Sequence, residues 1–216
     1  MEVSETLFEA NSAKGTQTAE GGALFISGTV ILRHGVVFRS NKVSGLGNRV
    51  AGGAVSVRQD TPVSPPSLIG LESPSFVSNV AEGTGPEGGA LFLTADVTDV
   101  VYLAGAEFSR NLVRAIDTSG KGGAVHVANG GARLENCSFT GKITANTALM
   151  EGGLAYDATG GGISVSAGGR LAMIGARMTS NRAGGTQSHL PSYAPHWSSR
   201  AAFNCWSMRI ENRGAV

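Results

Sequence analysis

The residues of this chain best suited to acid–base or metal chemistry are its five aspartates: Asp60, Asp96, Asp99, Asp117 and Asp157. Glycoside hydrolysis needs two carboxyl groups flanking one bond. A calcium-assisted lyase needs acidic ligands beside a basic proton acceptor. Only Asp96 and Asp99, in TADVTDV, are near neighbours. A separation of three puts them on opposite faces of a strand, although a turn there would bring them together. The plainer reading is a loop before a strand. His34, His126, His189 and His196 are scattered, none in an HExxH or triad-like context. Cys137 and Cys205 are the only thiols, too few for a disulfide framework and without zinc-like spacing. Cys137 reads as a small buried hydrophobe on a strand. The run DATGGGISVSAGG (157–169) lacks the recurring aspartate of the calcium-binding nonapeptide. No glycine-rich loop ends in the Lys-Ser/Thr of a phosphate cradle. No catalytic, cofactor-binding or metal-ligating residue is assigned, and no cofactor is expected.

What would have to position any such group is a repeat. FEANSAKGTQTAEGGAL (8–24), FRSNKVSGLGNRVAGGAV (38–55), FVSNVAEGTGPEGGAL (76–91) and FSRNLVRAIDTSGKGGAV (108–125) share one grammar. An aromatic residue is followed three places on by asparagine, then by a polar gap, a glycine pair and an apolar run. A degraded copy, FTGKITANTALMEGGL (139–154), has Lys142 where the asparagine belongs, with Asn146 as a displaced substitute. MTSNRAGG (178–185) is a half-copy. From aromatic anchor to first glycine the gaps are 13, 14, 12, 14 and 13 residues; the return to the next anchor takes 17, 24, 20, 17 and 26. One half of the unit is thus nearly constant and the other elastic, as in stacked units with loops on one side.

The runs after the glycine pairs, ALFIS, AVSV, ALFL, AVHV and LAY, read as strands, as do TVILRH (29–34), DVVYLA (99–104) and ARLEN (132–136). The anchor ends a third. Three strands in about thirty residues, with no helical period, exclude leucine-rich repeats and four-stranded propeller blades. The expected fold is all-β: a parallel β-helix of about five to six three-stranded coils over residues 1–185. Phe8, Phe38, Phe76, Phe108, Phe139 and Met178 should point into the bore, the rings stacked about 4.8 Å apart. Asn11, Asn41, Asn79, Asn111 and Asn181 should occupy a left-handed corner and form an amide ladder. Ala13, Val43, Ala81, Val113 and Ala183 should face inward, and the alanine after each glycine pair should sit where two walls meet.

Composition narrows the partners. A net charge of +1 without any basic run excludes nucleic acid as an expected partner. Thirty-two glycines without a triplet period exclude collagen. Residues 1–20 are polar and acidic, unlike a signal peptide, and no stretch approaches the roughly 18 apolar residues of a membrane span. The repeat begins in mid-unit at Phe8, so the coil is expected to be truncated at its N-terminal end.

The combination of Phe-x-x-Asn and Gly-Gly-Ala-apolar, at FEAN/GGAL, FRSN/GGAV, FVSN/GGAL and FSRN/GGAV, resembles the polymorphic outer membrane protein repeats of chlamydiae and related surface β-helices. The resemblance covers residues 8 to about 185. It implies a right-handed, pectin-lyase-like β-helix, extracellular or on a cell surface, acting as an adhesin. The function expected is a non-catalytic structural or adhesion module. The alternative is a pectin-lyase-like polysaccharide lyase or hydrolase fragment. Surface glycans or proteins are the expected partners, taken through inserted loops such as TPVSPPSLIGLESP (61–74), with end-to-end self-association as a further mode. Residues 186–216, which hold Trp197 and Trp206, are expected to form a poorly ordered tail, or else a cap.

Overall fold

The computed structural model describes residues 1–58, 67–70, 72–94, 101–116, 118–139, 146–151, 158–166, 168–186, 203–204 and 207–211. These residues form a parallel β-solenoid without helix. Each coil has five short strands rather than the three expected. In the second coil they are Thr29–Leu32, Val37–Arg39, Lys42–Gly45, Arg49–Ala51 and Val55–Arg58, here called the first to fifth walls. The third and fourth walls escape sequence reading because segments such as KVSG hold lysine, serine and glycine, which carry little strand signal, and others such as RVA are only three residues long. Five parallel strands stack in the fourth wall, so the solenoid closes on every side for about four turns. That is slightly fewer than expected, because the last coil contributes only Gly169–Ile174, Arg177–Met178 and Arg182–Thr186 among the described residues.

Register is set by the repeat. Phe8, Phe38, Phe76, Phe108, Phe139 and Met178 are successive partners on the second wall. The rings of Phe8, Phe38, Phe76 and Phe108 stack with centroids 4.8, 4.9 and 4.7 Å apart and planes within 6°. This is the strand spacing of a sheet transmitted to side chains. Burial of each ring contributes about 1.5–3 kcal/mol. The rings lie in a main bore with Leu32, Leu68, Leu103 and Leu134 of the first wall and Val55, Leu91 and Val125 of the fifth. A second, narrower column of Ala19, Val43, Val50, Ala81, Val113 and Ala148 fills the space between the third and fourth walls. Ala183 is exposed, because it lies on the last strand of the third wall among the described residues.

Three corners recur. The left-handed residue at the asparagine corner is the one before the asparagine: Ala10, Ser40, Ser78, Arg110 and Ser180 have φ of 54–57°. This corrects the expectation that asparagine itself takes that conformation; its side chain turns inward instead. A second corner precedes each anchor by three residues, at Glu5, Gly35, Ser73, Gly105, Asn136 and Gly175, all with positive φ. The third is the first glycine of each pair, with φ of 61–67°. The second glycine is needed for closeness instead: a Cβ on Gly89 would run into the carbonyl oxygen of Gly123.

The fifth coil departs from the sequence reading. Its glycine corner is Gly160–Gly161–Gly162, hydrogen-bonded beneath Gly123 and Ala124, and its fifth-wall strand is Ile163–Val165. The pair at 152–153, and LAY after it, lie outside the described residues. Gly184 and Gly185 pair with Leu149 and Met150 on the third wall, not at a corner. The segment 61–74 is not all loop: Ser67–Gly70 is a first-wall strand with Leu68 buried. The tail contributes two strands, Phe203–Asn204 and Ser207–Glu211. They pair antiparallel with Arg177–Met178 and Gly169–Ile174 and so cover two walls of the last coil.

Candidate functional site at the glycine-pair corner

Where the fourth wall turns into the fifth, the outer surface is concave. Glu20, Ala51, Glu87, Lys121 and Thr159 are successive partners on the fourth wall, and Phe25, Ser56, Phe92, His126 and Ser164 on the fifth; contacts such as Ser56–Glu20 and His126–Glu87 join the two columns. Ser56, Phe92 and His126 point away from the bore yet are fully buried.

Charges close this cleft in layers. The Glu20 carboxylate, its side chain 7% exposed, accepts from Arg58 at 2.6 Å and from the Ser56 hydroxyl at 3.1 Å, with Arg49 at 3.6 Å. A carboxylate this enclosed is tolerable only with such partners. The guanidinium of Arg49 lies 5.6 Å over the Phe92 ring, and that of Arg58 5.6 Å over Phe25. Two coils on, Lys121 donates to Glu87 at 3.0 Å.

His126 is fully buried in the cleft. Its Nδ1 faces the Ser164 carbonyl at 3.2 Å, so Nδ1–H donates there and Nε2 is left as the acceptor. Nε2 faces the Ser166 hydroxyl at 3.3 Å and the Glu87 carboxylate at 3.6 Å. Burial lowers its pKa to about 4; Glu87 opposes that shift and Lys121 adds to it. At neutral pH the ring is therefore uncharged. A Ser–His pair of this kind is a poor general base, since an effective one titrates near the operating pH. The carboxylate also stands on the same nitrogen as the serine rather than on Nδ1, so it does not orient the ring as a triad acid would. Sequence reading missed this cluster because each member sits alone in its own repeat; only the shared position two residues past Gly-Gly-Ala links them.

The asparagine column is hydrogen-bonded from coil to coil. In Asn41, Asn79 and Asn111 the side-chain oxygen accepts two bonds from the asparagine one coil earlier, from its backbone N–H and its Nδ2, at 2.9–3.0 Å. Each Nδ2 donates to a phenylalanine carbonyl of the preceding coil and to the next asparagine. The Oδ1 and both Nδ2 hydrogens are fully used. Asn146 continues the column and passes it to Asn181 at 2.9 Å.

The remaining named residues are apart. Cys137 is buried, its thiol pushed up to about 11 by burial, and donates to the carbonyls of Leu103 and Glu135. His34 is exposed, 3.9 Å from Glu72. Asp60, Asp96, Asp99, Asp117, Asp157, Lys142, His189, His196, Trp197, Cys205 and Trp206 lie outside the described residues. Among the described residues no three His, Cys, Asp or Glu side chains are grouped to hold a metal, and no helix is long and apolar enough to cross a membrane.

Charge sign alternates from coil to coil. Residues 1–27 hold Glu2, Glu5, Glu9 and Glu20 against Lys14; residues 28–58 hold Arg33, Arg39, Lys42, Arg49 and Arg58 and no acid. From 59 to 109 there are seven carboxylates and no lysine or arginine. Residues 110–133 then hold Arg110, Arg114, Lys121 and Arg133 against Asp117. Ion pairs accordingly span coils: Arg33–Glu2, Arg39–Glu9, Lys42–Glu82, Arg114–Glu82 and Lys121–Glu87.

Comparison of the chain with protein-family models, with curated proteins and with solved structures gives no match.

Proposed function

We propose that this chain is a non-catalytic structural module of the cell-surface adhesion type, a right-handed β-helix like the outer membrane protein repeats its motifs resemble. The observation that carries this reading is the asparagine column. The residues that define the repeat spend their whole bonding capacity on neighbouring coils, so the motif serves cohesion and leaves recognition to what the coils display. His126, fully buried at that corner, is held neutral and doubly engaged, which suits a structural role better than proton transfer.

Recognition is assigned to the insertions. Segments 59–66 and 95–100 both follow the fifth wall, after Arg58 and Thr94, which are partners in adjacent coils. The two insertions therefore begin at neighbouring positions of successive coils, and the proline-rich first of them is the contact we propose for glycans or proteins. A glycan array run with a lyase and hydrolase assay on uronic-acid polymers tests the reading. Binding without turnover is expected, and turnover would favour the carbohydrate-active alternative.

A further inference from the structure

An asparagine is an acceptor for an N-linked glycan when serine or threonine stands two residues on. The repeat withholds that pattern from its own ladder. Two residues after Asn11, Asn41, Asn79, Asn111, Asn146 and Asn181 stand Ala13, Val43, Ala81, Val113, Ala148 and Ala183. Val43, Ala81, Val113 and Ala148 fill the narrow column between the third and fourth walls, where a hydroxyl would be buried. Of the eleven asparagines in the sequence, Asn136 alone has the acceptor pattern, in Asn136-Cys137-Ser138.

Asn136 also differs from the ladder in its surroundings. It is the left-handed residue of the corner between the first and second walls of the fifth coil, with φ of 50°, and it is exposed. Its backbone N–H donates to the Ile174 carbonyl at 2.7 Å, but its side-chain amide makes no hydrogen bond among the described residues. The same corner in the coils before and after is Gly105 and Gly175, so no side chain stands beside it at that position. The amide leans over Gly175, where a Cβ would strike Oδ1 of Asn136. Ser138 is the register partner of Glu107 and Arg177, both exposed. A bulky group on Nδ2 of Asn79 or Asn111 would break the column; on Nδ2 of Asn136 it displaces no hydrogen bond among the described residues.

We propose that Asn136 is an N-glycosylation site, an inference that rests on the surface display proposed above. The co-reactant is an oligosaccharide carried on a lipid pyrophosphate. Nδ2 of Asn136 attacks the anomeric carbon of the first sugar. The N–C bond forms, the C–O bond to the pyrophosphate breaks, Nδ2 gives one proton to a base of the transferase, and the lipid pyrophosphate leaves. Transfer precedes folding, because the folded coil buries Cys137 between the two residues a transferase must read. The exposed corner then accepts the modified residue.

The test translates the full chain, behind a cleavable secretion signal, in the presence of microsomal membranes. Wild type and Ser138→Thr should each show one step of retarded mobility that peptide N-glycosidase removes. Asn136→Gln and Ser138→Ala should show none. This readout does not require a folded variant. A wild type without the step, or a step that persists in Asn136→Gln, overturns the proposal. The glycosylated chain purified from eukaryotic secretory cells should keep the β spectrum and urea midpoint of Asn136→Gln. A glycosylated chain without that spectrum, beside a folded Asn136→Gln, would also overturn it. A chain that carries the glycan yet binds nothing on the glycan array keeps this site and loses the adhesion reading; the converse loses this site alone.

Discussion

Asn111 donates its side-chain amide to Oδ1 of Asn146 at 2.9 Å, although Asn146 stands seven residues after its anchor, Phe139, rather than three. Four extra residues are absorbed without breaking the column. The amide at that rung is therefore under stronger constraint than the spacing that delivers it.

Replacing an inner rung should be costly and replacing the outermost one should not. Asn79→Ala leaves the Asn41 backbone N–H, the Phe38 carbonyl and the Asn111 side-chain oxygen each short of a partner in a dry interior. At about 1–3 kcal/mol for each buried orphan, the loss should reach at least 3 kcal/mol in urea denaturation. Asn146→Ala should behave alike. Asn11→Ala, at an exposed end, should cost less than about 1 kcal/mol. Equal losses at Asn11 and Asn79 would contradict a buried, cooperative column.

Phe108→Ala removes a fully buried ring that stacks on Phe76. A loss of about 3–5 kcal/mol is expected for a large-to-small change of this kind, read from the same denaturation curves. A loss below about 1 kcal/mol would mean the bore collapses around the vacancy.

Gly89→Ala forces a methyl group against the Gly123 carbonyl and the Leu112 backbone. Neither is the end of a flexible side chain, so the corner must open. The variant should lose at least about 2 kcal/mol. Gly28→Ala, whose methyl would meet open space, should change stability by less than about 0.5 kcal/mol.

Acid should destabilise the chain partly through His126. Its folded pKa of about 4 lies below the unfolded value of 6.5. Between the two the unfolded state binds the extra proton, so this contribution is fully present above pH 6.5 and is lost as pH falls toward 4. The size is about 3 kcal/mol by linkage. Urea midpoints measured from pH 7 to pH 4 should fall for the wild type and fall less for His126→Gln. Parallel curves would show that the imidazole is already solvated.

The coil was legible in the sequence because phenylalanine, asparagine and the glycine pair each do a task that few other residues can do. A flat ring fills the bore, a primary amide both gives and takes within one column, and glycine alone tolerates the tight corner. The third and fourth walls were not legible, since strands such as Ser12–Gly15 and Lys42–Gly45 are defined by register with neighbours rather than by residue type. The left-handed corner was misplaced by one residue because Ala10, Ser40, Ser78 and Arg110 share no side-chain chemistry. In the fifth coil two glycine runs competed, and only pairing with Gly123 and Ala124 singles out Gly160–Gly162. The concave corner stayed hidden for a related reason: His126, Phe92 and Ser56 look unrelated until coils are laid over one another.

The alternation of charge between coils also sets a rule for gene rearrangement. Excising the basic coil that carries Arg33, Arg39, Arg49 and Arg58 would take away the partners of Glu2, Glu9 and Glu20 and lay Glu20 on Glu87. Excising two adjacent coils would lay Glu20 on Lys121 instead. At the glycine-pair corner, the unit that can be lost without setting like charges together is thus a doublet of coils, twice the length of the motif the eye picks out.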